Sequence, residues 1–155
     1  MGADLYIESV YEENRKLREP EFEAAKKRRD EAPEGPARQA AQDEVEAALD
    51  AMYSVGYFRD SYNQTSLLWR VGLSWWQDVG ERLTEDGKIP LDYAEELIEV
   101  FRNTELRPFD ETEKTAIADP EDEEGWMKYF EEKRDAFIAL LEKSIELNEP
   151  IYASI

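Results

Sequence analysis

The sequence contains neither cysteine nor histidine among its 155 residues. Without cysteine, disulfides, thiolate nucleophiles and cysteine zinc sites are excluded. Without histidine, Ser-His-Asp triads, histidine general bases and Glu-x-x-His di-iron sites are excluded. Carboxylate, lysine, tyrosine, serine and arginine side chains are what is left for catalysis, with at most a hard cation on oxygen ligands.

Long apolar runs are also missing. No segment approaches the roughly 20 apolar residues that span a bilayer. The opening segment, Met1 to Val10, lacks the basic region and apolar core of a signal peptide. We therefore expect a cytoplasmic protein that does not bind a membrane.

Basic residues are scarce: 19 Lys and Arg stand against 38 Asp and Glu, and the formal net charge is −19. A charge this high is typical of disordered chains, but 12% of the residues are aromatic and four are tryptophan, which disordered acidic tails lack. A chain of this length can also bury a core without a metal or disulfide. We predict a single folded acidic domain over residues 1–155.

Apolar spacing favours helices through most of the chain. A buried stripe at intervals of three and four predicts a helix over 37–55, ended by Gly56. The charged segment 11–30 predicts one helix bent at Pro20 or two shorter ones, followed by a connector at 32–36. The residues of the buried stripe are Ala41, Val45, Ala48, Leu49, Met52 and Val55.

Three further helices are predicted downstream. Thr65 or Ser66 would cap one that runs to about residue 80–84, and Asp92 with Glu95 resembles the capping box of another. After a loop over 104–125, a last helix over 121–147 would end at Asn148. The expected buried positions are Leu67, Leu68, Val71, Trp75 and Val79, then Leu97, Ile98 and Phe101, then Trp126, Phe130, Phe137, Leu140, Leu141 and Ile145.

Together these segments predict an all-α, or mainly α, fold: a compact bundle of about five helices. The alternation around residues 5–10 leaves open whether a short N-terminal strand precedes the first helix. Residues 57–64 are expected to be irregular, and the apolar tail 149–155 is expected to pack on its own domain.

The negative charge is uneven along the chain. Residues 32–155 carry a net −17, and residues 105–124 alone carry nine acids against two bases. Such a surface repels phosphate backbones, so we expect no direct nucleic-acid binding but attraction to a basic protein. One interpretation is a solvated acidic face, and another is nucleic-acid mimicry. The candidate partner-binding carboxylates are those of Glu121, Asp122, Glu123 and Glu124.

A second unusual feature is seven aromatic residues within 53–76. Aromatic walls with a few hydrogen-bonding groups suit a small-molecule pocket or an interface. Helical spacing explains several of these rings more simply as core, and Arg59 and Asp60 as ties between a loop and nearby helix ends. The candidate partner-binding residues of this segment are Arg59, Asp60, Tyr62, Asn63, Trp69 and Trp76.

Three stretches carry a resemblance: the opening Met-Gly-Ala-Asp-Leu-Tyr, Val-Gly-Tyr-Phe-Arg-Asp-Ser-Tyr-Asn at 55–63, and Leu-Leu-Trp with Gly-Leu-Ser-Trp-Trp within 67–76. In these the chain resembles small acidic bacterial and phage proteins of uncharacterised function. The resemblance implies a bacterial or phage origin, and it assigns no functional residue.

Carboxylate pairs are plentiful by composition alone, so pairs such as Glu95 with Glu99 do not indicate catalysis.

We predict a non-enzymatic protein–protein interaction domain with no catalytic, cofactor-binding or metal-binding residue. Its partner would be a basic or nucleic-acid-binding protein, and a homo-oligomer is left open. The alternative is an acidic nucleic-acid mimic that inhibits a DNA- or RNA-binding protein. The second alternative is a small-ligand-binding protein or carboxylate-dependent enzyme that uses residues 53–76.

Overall fold

The computed structural model describes residues 2–155 and shows a mainly helical chain with one small sheet. About 62% of the chain is helical, which confirms the mainly α prediction. The α-helices are α1 (Glu8–Glu31), α2 (Pro36–Met52), α3 (Leu91–Asn103) and α4 (Glu123–Leu147). The strands are β1 (Gly2–Tyr6), β2 (Tyr57–Ser61), β3 (Lys88–Ile89) and β4 (Ile151–Ser154).

The expectation of at most one strand is wrong, because four strands form a sheet in the order β2-β1-β4-β3. The C-terminal strand β4 lies between β1 and β3 and is antiparallel to both, with Leu5 opposite Ala153 and Ile89 opposite Ile151. The tail therefore packs on its own chain, as predicted. Sequence pattern missed the sheet because each strand has only two to five residues, too few for alternation to be recognised.

The chain divides into two compact units. Residues 2–7 with Phe58–Ile155 form the first, which we call the sheet unit, and Glu8–Tyr57 forms the second, which we call the hairpin unit. The prediction of a single domain over 1–155 stays a prediction.

The hairpin unit consists of α1 and α2. Helix α1 runs through Pro20 as one helix, and Pro36 opens α2 at a first-turn position, where its missing N–H costs no hydrogen bond. The amide of Asn14, itself buried, donates to the carbonyls of Ala51 and Met52 at 3.0 Å each. These carbonyls belong to the last turn of α2, where C=O groups lack the N–H of a following helical turn, so Asn14 ties α1 to the end of α2.

The sheet unit is built around the ring of Phe137 from α4. This ring stacks on Phe58 of β2 at 4.8 Å and meets Trp75 and Phe101 edge-on at 5.9 and 5.2 Å. The stripes predicted for the helices around 92–103 and 121–147 lie mostly in this core. The buried residues include Leu97, Ile98, Phe101, Phe130, Phe137, Leu140 and Leu141.

The helix predicted from residue 65 to about 84 is wrong. Three short turns take its place: a 3-10 turn at Leu68–Val71, a π turn at Trp75–Val79 and a 3-10 turn at Gly80–Arg82. Gly72 adopts φ 79°, which is left-handed and ends the first turn, and the hydroxyl of Ser74 then accepts from the N–H of Gln77 to start the next. The predicted apolar positions are still buried at Leu67, Leu68, Trp75 and Val79.

Candidate functional site

Asp60 is a candidate partner-binding residue whose alternative role is to tie a loop to nearby helix ends, and it lies inside the sheet unit with 2% of its surface exposed. Its carboxylate accepts from the N–H groups of Leu67 and Leu68 at 3.0 and 3.3 Å, and from the indole N–H of Trp75 at 2.9 Å. The ammonium group of Lys133 is 2.9 Å from the same carboxylate. With four donors on a buried carboxylate, Asp60 joins β2 to the turns that follow it and to α4, so a partner does not reach it.

Arg59 and Asn63 flank Asp60 and are both exposed. The Nε atom of Arg59 is 3.6 Å from a carboxylate oxygen of Asp4, on the neighbouring strand β1. The side-chain oxygen of Asn63 accepts from the hydroxyls of Ser61 and Thr65 and from the N–H of Thr65. Asn63 thus shapes the turn after β2, as asparagine commonly does in turns.

The remaining aromatic candidates form two separate contacts. Tyr62 and Trp76 have ring centroids 5.5 Å apart, and 61% of the Trp76 surface is exposed. Trp69 is half-buried under the guanidinium of Arg107, which lies 5.6 Å from its ring. Trp76, with the half-buried Tyr62 beside it, is therefore the most exposed aromatic residue of segment 53–76.

Sequence reasoning missed the buried ion pair of Arg70 and Glu113. Their side chains are 2.5 Å apart and at most 4% exposed, and the Arg70 guanidinium also lies 4.6 Å from the ring of Phe109 and 5.6 Å from that of Phe130. The two charged residues are 43 positions apart. No local pattern signals such a pair, because nothing near Arg70 in sequence distinguishes it from an exposed arginine.

The acidic candidates Glu121, Asp122, Glu123 and Glu124 are all exposed at the start of α4. Asp122 is the N-cap residue of this helix, and its carboxylate accepts from the N–H of Gly125 at 3.1 Å. Glu123 and Glu124 occupy the first turn, where negative charge is favoured by the helix dipole. Part of this cluster is therefore explained by helix stability, and Glu121, which precedes the helix, is not.

Beside the acidic cluster lies an open groove of about 430 Å3. Its aromatic walls are Trp126 and the 46%-exposed Tyr129, whose rings are 5.8 Å apart and nearly perpendicular at 87°. We call it the Trp126 groove. Its lining residues are Ala118, Asp119, Asp122, Gly125, Trp126 and Tyr129.

A second recess lies by Trp126, and it is lined by the basic residues Arg70, Arg107 and Lys114 together with Phe109 and the carboxylate residue Glu123. Its free volume is about 10 Å3, which is room for about one water. This recess is filled by protein side chains, and the Trp126 groove is the roomier of the two.

Within residues 2–155 no three carboxylates converge as a metal ion would require. No helix of the described chain has both the length and the apolar character to cross a membrane.

Comparison of the chain with protein-family models, with curated proteins and with solved structures finds no match in any of the three.

Proposed function

We propose that this protein is a non-enzymatic interaction domain that binds a basic partner protein through the acidic face of its sheet unit. The unit carries most of the net charge: residues 2–7 and 58–155 have 25 acids against 11 bases, a net −14, and the shorter segment 8–57 has 13 against 8, a net −5. A field this strong steers basic partners and speeds their association.

The observation that carries the proposal is the run of unpaired carboxylates at Asp119, Glu121, Asp122, Glu123 and Glu124, next to the half-buried Trp126 and the exposed Tyr129. Among the described residues none of these five forms an ion pair. Exposed acids elsewhere are paired only in part, as Glu96 is with Arg82, and what sets this run apart is that five unpaired carboxylates fall within six residues. Like charges held together repel, and a cationic partner relieves that repulsion.

The test is capture of partners from bacterial lysate on the immobilised full chain, at ~50 mM and ~500 mM salt, over which the Debye length falls from ~14 Å to ~4 Å. We expect a basic protein that is held at low salt and released at high salt. Displacement of that protein by DNA would identify it as a nucleic-acid-binding protein and the chain as a mimic of its ligand.

A charge-matched pair of variants separates a specific surface from net charge. The variant E121Q/D122N/E123Q/E124Q removes four charges from the acidic cluster, and asparagine at 122 still caps the helix. The control E13Q/E19Q/D43N/E46Q removes four charges from exposed positions of the hairpin unit. Weaker capture by the first variant alone supports the proposal. Equal loss in both, or a partner held equally at both salt concentrations, contradicts it.

A further inference from the structure

The protein repeatedly places an arginine where an aromatic ring meets a carboxylate. The guanidinium of Arg82 lies 4.1 Å from the ring of Tyr93 and donates to both carboxylate oxygens of Glu96 at 3.1 Å. Arg70 does the same between Phe109 and Glu113. A planar guanidinium suits such corners because it stacks on the ring while its N–H groups reach the carboxylate.

The Trp126 groove has the same composition without the arginine. Its rings come from Trp126 and Tyr129 and its carboxylates from Asp119 and Asp122, and no described arginine or lysine pairs with either carboxylate. The ammonium of Lys133 lies by one of its rings, 5.4 Å from the centroid of the Tyr129 ring and 3.4 Å from its hydroxyl. Arg70, Arg107 and Lys114 line the separate recess that Trp126 also borders.

Lys133 does not fill the groove, because its charge is already used inside the sheet unit. Its ammonium contacts the buried carboxylate of Asp60 at 2.9 Å, and only 17% of its side chain is exposed. Two other grooves lined by carboxylates contain an arginine that pairs within them. Arg102 with Glu142 lines one such groove, and Arg82 with Glu96 lines the other.

The walls of the groove are held in place before any partner arrives. The indole N–H of Trp126 donates to the carbonyls of Ala118 and Asp119 at 3.2 and 3.3 Å. Asp119 adopts φ 52°, which turns the chain so that its carbonyl also accepts from the N–H of Asp122 at 3.0 Å. A preformed site loses little conformational entropy on binding, which favours affinity.

We propose that the Trp126 groove binds an arginine side chain of a basic peptide segment in the partner protein. The guanidinium stacks on the Trp126 or Tyr129 ring and pairs with the carboxylates of Asp119 and Asp122, as Arg82 does with Tyr93 and Glu96 within the chain. This proposal rests on the proposed function and adds to it the chemistry that the partner presents.

The test uses a fluorescein-labelled nine-residue peptide with three arginines separated by glycine and serine, titrated with the full-length protein at ~50 mM salt and followed by anisotropy. Two matched peptides replace arginine by citrulline, which is neutral and of similar shape, or by lysine. We expect the citrulline peptide to bind about 10-fold more weakly or worse, and the lysine peptide about 3-fold more weakly, since lysine does not stack or pair in a bidentate manner.

Two sets of variants address the groove. D119N/D122N removes both charges while it keeps the helix cap, and asparagine tolerates the left-handed conformation at position 119. We expect it to weaken binding of the arginine peptide about 5-fold, against less than about 2-fold for the control E13Q/D43N, which makes the same charge change in the hairpin unit. Y129L should weaken binding about 3-fold and Y129F should restore it, since phenylalanine keeps the ring face.

The indole N–H signals of the four tryptophans in a 15N-correlated NMR spectrum show where on the protein the peptide binds. The peptide should shift the signal of Trp126 more than those of Trp69, Trp75 and Trp76.

Equal binding of the lysine peptide, no shift at Trp126, or wild-type affinity in D119N/D122N would each overturn the proposal. If only E121Q/E123Q/E124Q weakens binding of the peptide, the assignment of the arginine site to the groove is wrong but the acidic binding surface stands. If every acidic variant captures the lysate partner as well as the wild type does, the proposed function itself fails.

Discussion

Replacement of Asp60 tests whether this residue is an internal anchor, as its burial indicates, or a partner contact. In D60A the ammonium of Lys133 loses its carboxylate, and removal of one member of a buried ion pair costs about 3–5 kcal/mol. The N–H groups of Leu67 and Leu68 and the indole N–H of Trp75 also lose their acceptor, at about 1–3 kcal/mol for each that stays dry. Because water enters the space left by the side chain, these costs do not add in full.

We therefore expect D60A to lower the free energy of unfolding by at least about 4 kcal/mol, which is a large part of the ~5–15 kcal/mol typical of a domain. D60N keeps the shape and one acceptor oxygen but loses the charge, and Lys133 is partly exposed, so we expect a loss of about 2–4 kcal/mol. The exposed neighbour provides the control: R59A breaks the contact at 3.6 Å to Asp4, and we expect it to lower the free energy of unfolding by less than about 1 kcal/mol.

The assay is urea unfolding at pH 7 followed by tryptophan fluorescence. All four tryptophans lie in the sheet unit, so the signal reports the unit that contains Asp60. D60N/K133M should recover part of the loss, because it leaves no unpaired charge. A D60N variant within 1 kcal/mol of the wild type would refute the anchoring role, and so would an R59A variant that is equally destabilised.

Two further predictions concern buried groups. In the same urea assay E113Q should lower the free energy of unfolding by about 2–4 kcal/mol, because the fully buried Arg70 keeps no anionic partner. Substitution of the exposed Glu111 in E111Q should lower it by less than about 0.5 kcal/mol, and equal losses in the two variants would contradict this prediction. Burial raises the pKa of Tyr93 above its ordinary value of 10.0, so the unfolded chain releases this proton first and stability should fall as the pH rises above about 10. The urea midpoint should therefore drop less between pH 9 and pH 11 in Y93F than in the wild type, and an equal drop would show that Tyr93 is not responsible.

Helices α2, α3 and α4 could be predicted from the sequence because helical periodicity is a local property. The stripe of α4 at Phe130, Phe137, Leu140 and Leu141 recurs at intervals that place these residues on one face, whatever the rest of the chain does. The boundaries differ from the predicted ones: α2 ends at Met52 rather than Val55, and α3 begins after Pro90 without the expected capping box.

The candidate site was predictable only in part. The acidic residues 121–124 are exposed, as a charge run usually is, and the Trp126 groove lies within residues 118–129. Trp126 was predicted as a buried stripe residue, and Tyr129 was not singled out. Periodicity indicates which face of a helix is apolar, but it does not show where the core ends along that face, so the open side of Trp126 could not be seen.

The sequence by itself determined the chemistry that the protein lacks, its strong negative charge and the helical character of most of its length, because these depend on composition and on contacts within a few residues. Tertiary structure alone decided that β4 joins β1 and β3 in one sheet, that Asp60 is inside, and that Arg70 meets Glu113 across 43 positions. These features depend on which distant segments pack together, and only the folded chain brings a buried charge and its partner into contact.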